Sequence, residues 1–167
     1  MDGRNRPQDI SFVLLMKDYM EGSFSFHRIA GQLKQYLLDR SPVTISPEHV
    51  FIVEPIFVTY SVSVWCTVRD EDASFETQNL IISTLKEYLN PVSGRGQSGW
   101  PIGVLPKKAQ ILMKLGTLKS RAVVKKTVIS VQYVDKDGEH VMDIEDVKVS
   151  PFMVVRSGEH KAYIDYD

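Results

Sequence analysis

Tyr60-Ser61-Val62-Ser63-Val64-Trp65-Cys66-Thr67-Val68 carries the clearest structural signal in the chain. Its apolar residues alternate, as expected where successive side chains of a β-strand point to opposite faces of a sheet. One face is predicted to lie in a core and consists of Tyr60, Val62, Val64, Cys66 and Val68. The other face bears mostly hydroxyl groups and Trp65, which we expect to lie under a loop or against a neighbouring subunit. In this setting Cys66 is expected to be a buried, unreactive thiol.

Helical periodicity occurs on both sides of this strand. Before the strand, Ile10–Met16 is a short run of strand-forming residues, and Pro55 is expected to interrupt regular structure. A first helix has an apolar face formed by Ile29, Ala30, Leu33, Tyr36 and Leu37. After it, a second helix presents Leu80, Ile81, Ile82, Leu85, Tyr88 and Leu89, and a third presents Ile111, Leu112, Leu115 and Leu118. Beyond these, Asp137-Gly138 predicts a hairpin turn with strands at 129–133 and 144–149. Two further short strands are expected at 152–155 and 162–164.

This order of elements predicts an α+β fold. Small, mostly antiparallel or mixed sheet modules would pack against helices as a two-layer sandwich. An echo between the halves, with helices ending in Tyr36-Leu37 and Tyr88-Leu89, favours two similar modules. We therefore expect a flexible lead at residues 1–7, a first module at 8–58 and a second module at 59–167.

Composition excludes several classes of function. The 20 basic and 21 acidic residues give a net charge of −1, without the basic excess usual for a nucleic-acid-binding domain. The longest apolar run, Phe12–Met16, is too short to cross a bilayer, and the polar N-terminus lacks a secretory signal. A single cysteine excludes an internal disulfide, and no histidine spacing fits a metal site. We expect no cofactor and no metal.

Residues 91–103, Pro-Val-Ser-Gly-Arg-Gly-Gln-Ser-Gly-Trp-Pro-Ile-Gly, form a loop with a demanding shape. It follows a helix and lacks the lysine–hydroxyl pair of a phosphate-binding loop, so a structural role is favoured. Trp100 is predicted to pack inward and to fix the loop to the sheet or to the second helix. The predicted structural residues are Gly94, Gly96, Gly99, Trp100, Pro101 and Gly103.

Two groups of residues are candidates for contacts with other proteins. Trp65 is one, and the aromatic and acidic tail with Tyr163 and Tyr166 is the other, read either as a disordered end or as an interface. The pairs Lys107-Lys108 and Lys125-Lys126 are interpreted as surface charges or as partners in salt bridges between subunits. Nothing in the sequence indicates a catalytic group.

The chain resembles the C-terminal half of the baseplate J-like family of contractile phage tails and related injection systems. The resemblance covers residues 7–164. Its most specific motif is Leu89-Asn90-Pro91, then the glycine-rich linker and Gly99-Trp100-Pro101-Ile102-Gly103. The other matching motifs are Pro7–Ile10, Tyr36-Leu37 to Arg40–Val43, Val53–Val58 and Ser157-Gly158-Glu159-His160. Family members usually have a Gly-Val step where this chain has Arg121–Val124, and they are usually longer.

The resemblance implies a structural wedge subunit of a baseplate and not an enzyme. Its partners would be the wedge, hub and sheath proteins of the tail, assembled into an oligomer in the bacterial cytoplasm and located in the baseplate. Its mechanism would be assembly and conformational switching between two arrangements of packed subunits. A different class remains open, in which the chain is a small ligand- or peptide-binding α+β module and Trp100 lines a pocket.

Overall fold

The protein, as a computed structural model, is described for residues 9–16, 24–42, 45–68 and 72–166. The chain divides into two units, Met1–Pro55 and Ile56–Asp167. The lead expected at residues 1–7 lies outside the described residues. The division precedes the expected boundary at 58/59 by a few residues, because the long strand that opens the second unit starts at Ile56.

The first unit contains two parallel strands and one helix. Strand β1 (Ile10–Val13) pairs with β2 (Val50–Val53), and helix α1 (Phe24–Leu38) lies between them in sequence. A single 3-10 turn, Pro47–His49, leads into β2. Beside this turn, His49 Nδ1 lies 2.9 Å from Asp9 Oδ1.

The apolar face of α1 is narrower than predicted. Ile29, Ala30, Leu33 and Leu37 are half-buried, as the periodicity indicates. Tyr36 was expected with them but is 53% exposed, and the Arg40 guanidinium lies 3.8 Å from its ring centre. The half-buried stripe follows the spacing of four residues, so Tyr36 falls outside it and packs on the arginine one turn later.

The second unit is built on a mixed five-stranded sheet. Its strands are β3 (Ile56–Val68), β4 (Val123–Asp135), β5 (Gly138–Asp143), β6 (Met153–Ser157) and β7 (Lys161–Tyr166). Antiparallel pairing joins β5 to β4 and β4 to β3. The other edge of β3 pairs in parallel with β6 along its first part and with β7 along its second part. Both units thus combine helix and strand, but they are not copies of one topology.

Helices α2 (Ser74–Tyr88) and α4 (Lys108–Gly116) cover one face of this sheet. The predicted core face of β3 is buried throughout, with exposures of 0–3%. It packs against Ile81 and Leu85 of α2 and against Ile111 and Leu115 of α4. This confirms the two-layer α+β architecture. The opposite face of the sheet, here called the open face, has no covering helix among the described residues of this unit. Among the described residues, no helix is long and apolar enough to span a membrane.

The predicted hairpin is present, but its return strand begins earlier than expected. The turn is tight, so Asp135 pairs with Gly138 and β5 runs from Gly138 to Asp143. The expected strand at 144–149 is wrong, because Asp143 accepts a hydrogen bond from the Glu145 amide and turns the chain into a 3-10 turn, Ile144–Asp146. The carboxylate therefore ends the strand by bonding to the backbone.

Candidate interaction surfaces and the motifs that shape them

Trp100 fixes the glycine-rich loop to the end of α2, as predicted. Its side chain is 3% exposed, and its Nε1–H donates a hydrogen bond of 2.8 Å to the carbonyl oxygen of Tyr88. The last carbonyls of a helix have no partner within the helix, so this bond satisfies one of them. The two rings meet edge to face with their centres 5.5 Å apart. Because the indole is buried, Trp100 does not line an open pocket.

Two glycines allow the loop to close on itself. Gly94 begins a tight turn, α3 (Gly94–Gln97), in which the three residues after it have positive φ, and a Cβ at Gly94 would collide with the carbonyl oxygen of Tyr88. Gly99 has φ +71°, and a Cβ there would lie 2.7 Å from the carbonyl oxygen of Val92. Both positions therefore require glycine for the close approach of two backbone segments.

The other predicted loop residues occupy less crowded positions. Gly96 lies in α3 with open space around it, and Pro101 is exposed. The amide of Gly103 donates to the carbonyl oxygen of Met153 at 2.7 Å. The loop is thus tied at one end to α2 and at the other to β6, which makes it a structural bridge between the two layers of the second unit.

Trp65, Tyr163 and Tyr166, predicted as interface residues, lie around one shallow groove. The rings of Trp65 and Tyr163 stack with centres 4.9 Å apart, because these residues are register partners on β3 and β7. Lys126, the register partner of Trp65 on β4, places its ammonium 5.1 Å from the Trp65 ring centre. The groove has a volume of about 580 Å³ and is also lined by Lys125 and Asp165. The predicted tail is therefore an ordered edge strand as far as Tyr166, and Asp167 lies outside the described residues.

The open face of the sheet also exposes several valine side chains. Val128 and Val134 of β4 and Val141 of β5 are 43%, 63% and 68% exposed. On this face of β4, Ser130 and Gln132 lie between Val128 and Val134, whereas the intervening Ile129, Val131 and Tyr133 are buried on the other face, as expected for a sheet with one solvent-facing side. Together with the Trp65–Tyr163 stack, they make the open face the most apolar exposed part of the sheet.

His160 bridges the junction between β6 and β7, a role that the sequence did not reveal. Its Nδ1 accepts a hydrogen bond from the Val62 amide at 3.2 Å, and its Nε2 lies 2.8 Å from Ser157 Oγ. Nδ1 acts as the acceptor, so the proton is on Nε2, which donates to Ser157. The Gly158 amide donates to the carbonyl oxygen of Tyr60 beside this bridge. In this Ser-Gly-x-His motif, the His160 side chain thus takes the place of a backbone acceptor for the Val62 amide of β3.

Burial determines the charge state of His160. The side chain is 6% exposed, and its desolvation, assisted by the positive charge of Lys86, lowers the pKa from 6.5 to about 4. His160 is therefore neutral near pH 7 and satisfied by its neighbours, which describes a structural histidine and not a metal ligand. Within the described ranges, no three His, Cys, Asp or Glu side chains converge on a common point.

The predicted functional residues therefore fall into two places in the second unit. The loop residues around Trp100 stabilise the fold, whereas half-buried Trp65 and exposed Tyr163 and Tyr166 lie at the surface of the sheet. Gln78 donates a hydrogen bond of 2.9 Å to the carbonyl oxygen of Ala162. This contact and the bond between His160 and Val62 each join residues more than eighty positions apart, so no local sequence pattern predicts them. No known protein-family model and no curated protein matches the chain.

Proposed function

We propose that this chain is a structural subunit of a phage-type contractile tail baseplate that acts through assembly with neighbouring tail proteins. The resemblance of residues 7–164 to the baseplate J-like family supports this identity. Within that proposal, the chain carries out no catalysis. It would be assembled in the bacterial cytoplasm and would change its packing partners when the baseplate switches.

The open face is the observation that carries this proposal. Exposed Val128, Val134 and Val141 and the Trp65–Tyr163 stack lie on one side of a sheet whose other side is covered by α2 and α4. Exposed apolar side chains grouped on one face of a sheet are typical of protein-binding surfaces. Their polar neighbours keep the unassembled subunit in solution until a partner covers the face.

The rigid loop at residues 91–103 suits the same role. Hydrogen bonds from Trp100 to Tyr88 and from Gly103 to Met153 join the helical layer to the sheet. A subunit that transmits a rearrangement must move as a body, because a flexible link between its layers would absorb the displacement. The most specific motif of the resemblance therefore has a mechanical reason to be retained.

The proposal is tested by co-expression with the sheath-, hub- and wedge-like proteins encoded beside this chain. The chain should co-purify with at least one of them at a fixed stoichiometry. A Val134→Glu, Val141→Glu double variant should lose that complex, since it places two charges on the covered surface. Met113→Glu is the matched control because Met113 is 71% exposed on α4, in the other layer.

Two results would contradict the proposal. One is a chain that forms no complex with any of those neighbours, and the other is a complex that the double valine variant leaves unchanged. Circular dichroism of both variants keeps loss of binding distinct from loss of fold. The substituted valines are exposed, so the fold should persist.

A second candidate, a small ligand- or peptide-binding module, is favoured by the groove beside Trp65. This groove combines a stacked aromatic pair with Lys125 and Asp165, which is a suitable lining for a flat or zwitterionic ligand. A ligand there should quench or shift the fluorescence of Trp65 but not that of buried Trp100. The change should disappear in Trp65→Phe and persist in Trp100→Phe.

A further inference from the structure

We propose that the β7 edge of the sheet pairs antiparallel with β7 of a second copy of this chain, forming a two-fold dimer centred on Tyr163. The inference rests on the charge pattern of the edge strands and does not depend on the proposed function.

β7 is an edge strand whose outer side is partly capped by the Gln78 side chain of α2. Among the described strands it pairs only with β3. The Gln78 side chain donates to the carbonyl oxygen of Ala162, so this carbonyl points away from β3. Backbone groups alternate in direction along a strand, so those of Ala162 and Ile164 face outwards, whereas those of Tyr163 face β3. Ala162 is 4% exposed, so a second strand would displace the Gln78 amide from this carbonyl and take its place as the donor.

The sequence of β7 is complementary to itself in this arrangement. With Tyr163 opposite Tyr163 of the second copy, Lys161 of one chain lies opposite Asp165 of the other, and the symmetry repeats the pair. One side of β7 carries Lys161, Tyr163 and Asp165. This side belongs to the open face, where Trp65 also lies. Opposite charges directly across two strands stabilise the pairing, and like charges destabilise it.

The other edge of the same sheet lacks this complementarity. In the same antiparallel arrangement centred on Val141, Glu139 of β5 would face Asp143 of the second copy, so both pairs would be acidic. Charged residues of one sign are a common protection of edge strands against self-association. The contrast makes β7 the edge that fits a second copy.

The aromatic residues add an apolar centre to the dimer. Tyr163 is 45% exposed and stacks on Trp65 with ring centres 4.9 Å apart. Joining two β7 strands would bring the two stacks side by side in one aromatic row across the symmetry axis. The outward groups of Ala162 and Ile164 would form the hydrogen-bonded pairs, leaving Tyr163 at a non-hydrogen-bonded position where facing side chains approach most closely. Lys161 also lies 3.4 Å from Glu159, but both side chains are exposed and such a pair contributes little.

Charge reversal tests the register directly by sedimentation over a wide concentration range. The unmodified chain should show a reversible monomer–dimer equilibrium. Lys161→Asp and Asp165→Lys should each weaken the dimer by about tenfold or more, because each converts two attractive pairs into two repulsive ones. The double variant Lys161→Asp, Asp165→Lys restores opposite charges and should recover the dimer. Lys119→Asp, an exposed reversal after α4, is the control and should leave the equilibrium unchanged.

A crosslinking variant tests the symmetry axis independently. Tyr163→Cys should form a disulfide-linked dimer on mild oxidation, since facing positions of a non-hydrogen-bonded antiparallel pair suit disulfide geometry. Val141→Cys on the β5 edge should remain monomeric under the same conditions. A monomer at all concentrations, a dimer indifferent to both single reversals, a double reversal that fails to recover the dimer, or equal crosslinking of the two cysteine variants would each overturn the proposal. The binding of tail proteins is tested separately with variants of Val134 and Val141 on β4 and β5, so the two proposals can fail independently.

Discussion

The indole Nε1–H of Trp100 and the carbonyl oxygen of Tyr88 are 2.8 Å apart, so a loop residue completes the hydrogen bonding of the helix that precedes it. Tyr88 is the last residue of α2, and its ring also packs against the Trp100 ring. The helix end and the loop therefore stabilise each other. Several measurable consequences follow from this and from the other contacts of the second unit.

Replacing Trp100 should separate the packing of the ring from its hydrogen bond. We expect Trp100→Ala to lower the free energy of unfolding by about 3–5 kcal/mol, since a large buried side chain is lost. Trp100→Phe keeps most of the apolar contact but leaves the Tyr88 carbonyl without its donor, so a loss of about 1–3 kcal/mol is expected. Urea denaturation monitored by circular dichroism measures both. Equal losses for the two variants would mean that the ring volume contributes nothing.

Alanine substitutions at two loop glycines and at one helix glycine, as the reference, test the backbone conformation of the loop. Gly116, at the end of α4, has open space and no positive φ, so Gly116→Ala should be neutral or slightly stabilising. Gly96 has φ +76° with open space, so Gly96→Ala should cost about 1 kcal/mol for the left-handed backbone alone. Gly99→Ala adds a collision with the Val92 carbonyl and should cost clearly more. Melting temperatures in any other order would contradict the close approach at Gly99.

Protonation of His160 should destabilise the protein in acid. Its pKa is about 4 in the folded chain and 6.5 when exposed, so the unfolded chain binds more protons between these values. The stability is therefore complete above pH 6.5 and falls as the pH drops from 6.5 to 4, by about 3 kcal/mol at most. Chemical denaturation at a series of pH values measures the slope. Asp135 also has a lowered pKa, through its hydrogen bonds to His140 and to the Asp137 amide, so the slope must be compared between variants.

Two amide variants identify which nitrogen of His160 matters. In His160→Asn the side-chain oxygen takes the place of Nδ1 and can still accept from the Val62 amide, so the pH dependence should disappear with only a modest loss of stability. In His160→Gln the oxygen takes the place of Nε2 and the Val62 amide is left unpaired, at a cost of about 1–3 kcal/mol. Equal stabilities at pH 7 would show that the bond to Val62 is dispensable.

Cys66 should be unreactive in the folded protein. The side chain is 1% exposed, and burial raises its pKa, so little thiolate is present and reagents cannot reach it. A thiol-reactive dye should label the protein at the rate of global unfolding, with labelling accelerated by urea. Fast labelling in buffer would instead indicate local opening of β3 near its bulge between Trp65 and Cys66.

The elements that the sequence predicts well are those encoded by short-range patterns. Alternation from Tyr60 to Val68 identified the buried face of β3, because the period of a strand is visible in a few residues. The Asp137-Gly138 turn was likewise predicted from local turn chemistry, although the length of its return strand was not. Trp100 was predicted to be buried because a bulky ring in a glycine-rich loop requires a place to pack.

Long-range pairing explains what the sequence did not predict. The sequence predicts a mostly antiparallel or mixed sheet, but it does not predict that β6 and β7 are the strands that join β3 in parallel, since no local pattern specifies which distant strand fills an edge. For the same reason Trp65 and Tyr163 were both candidates for an interface, but their stacking became visible only through the register of β3 and β7. His160 belongs to a motif that the sequence analysis identifies, but its bond to Val62 had no signal because the two residues are 98 positions apart.

That separation has a consequence for how the chain acquires its structure. One edge of β3 is completed only by strands that follow it at a distance of nearly a hundred residues, so this half of the sheet has a high contact order and should form late and slowly. Until then, a strand rich in valine displays unpaired amides and carbonyls in the nascent or refolding polypeptide. Misassembly and aggregation of this protein should therefore begin at β3, and helper proteins that shield extended strands should raise its folding yield more than those that shield helices.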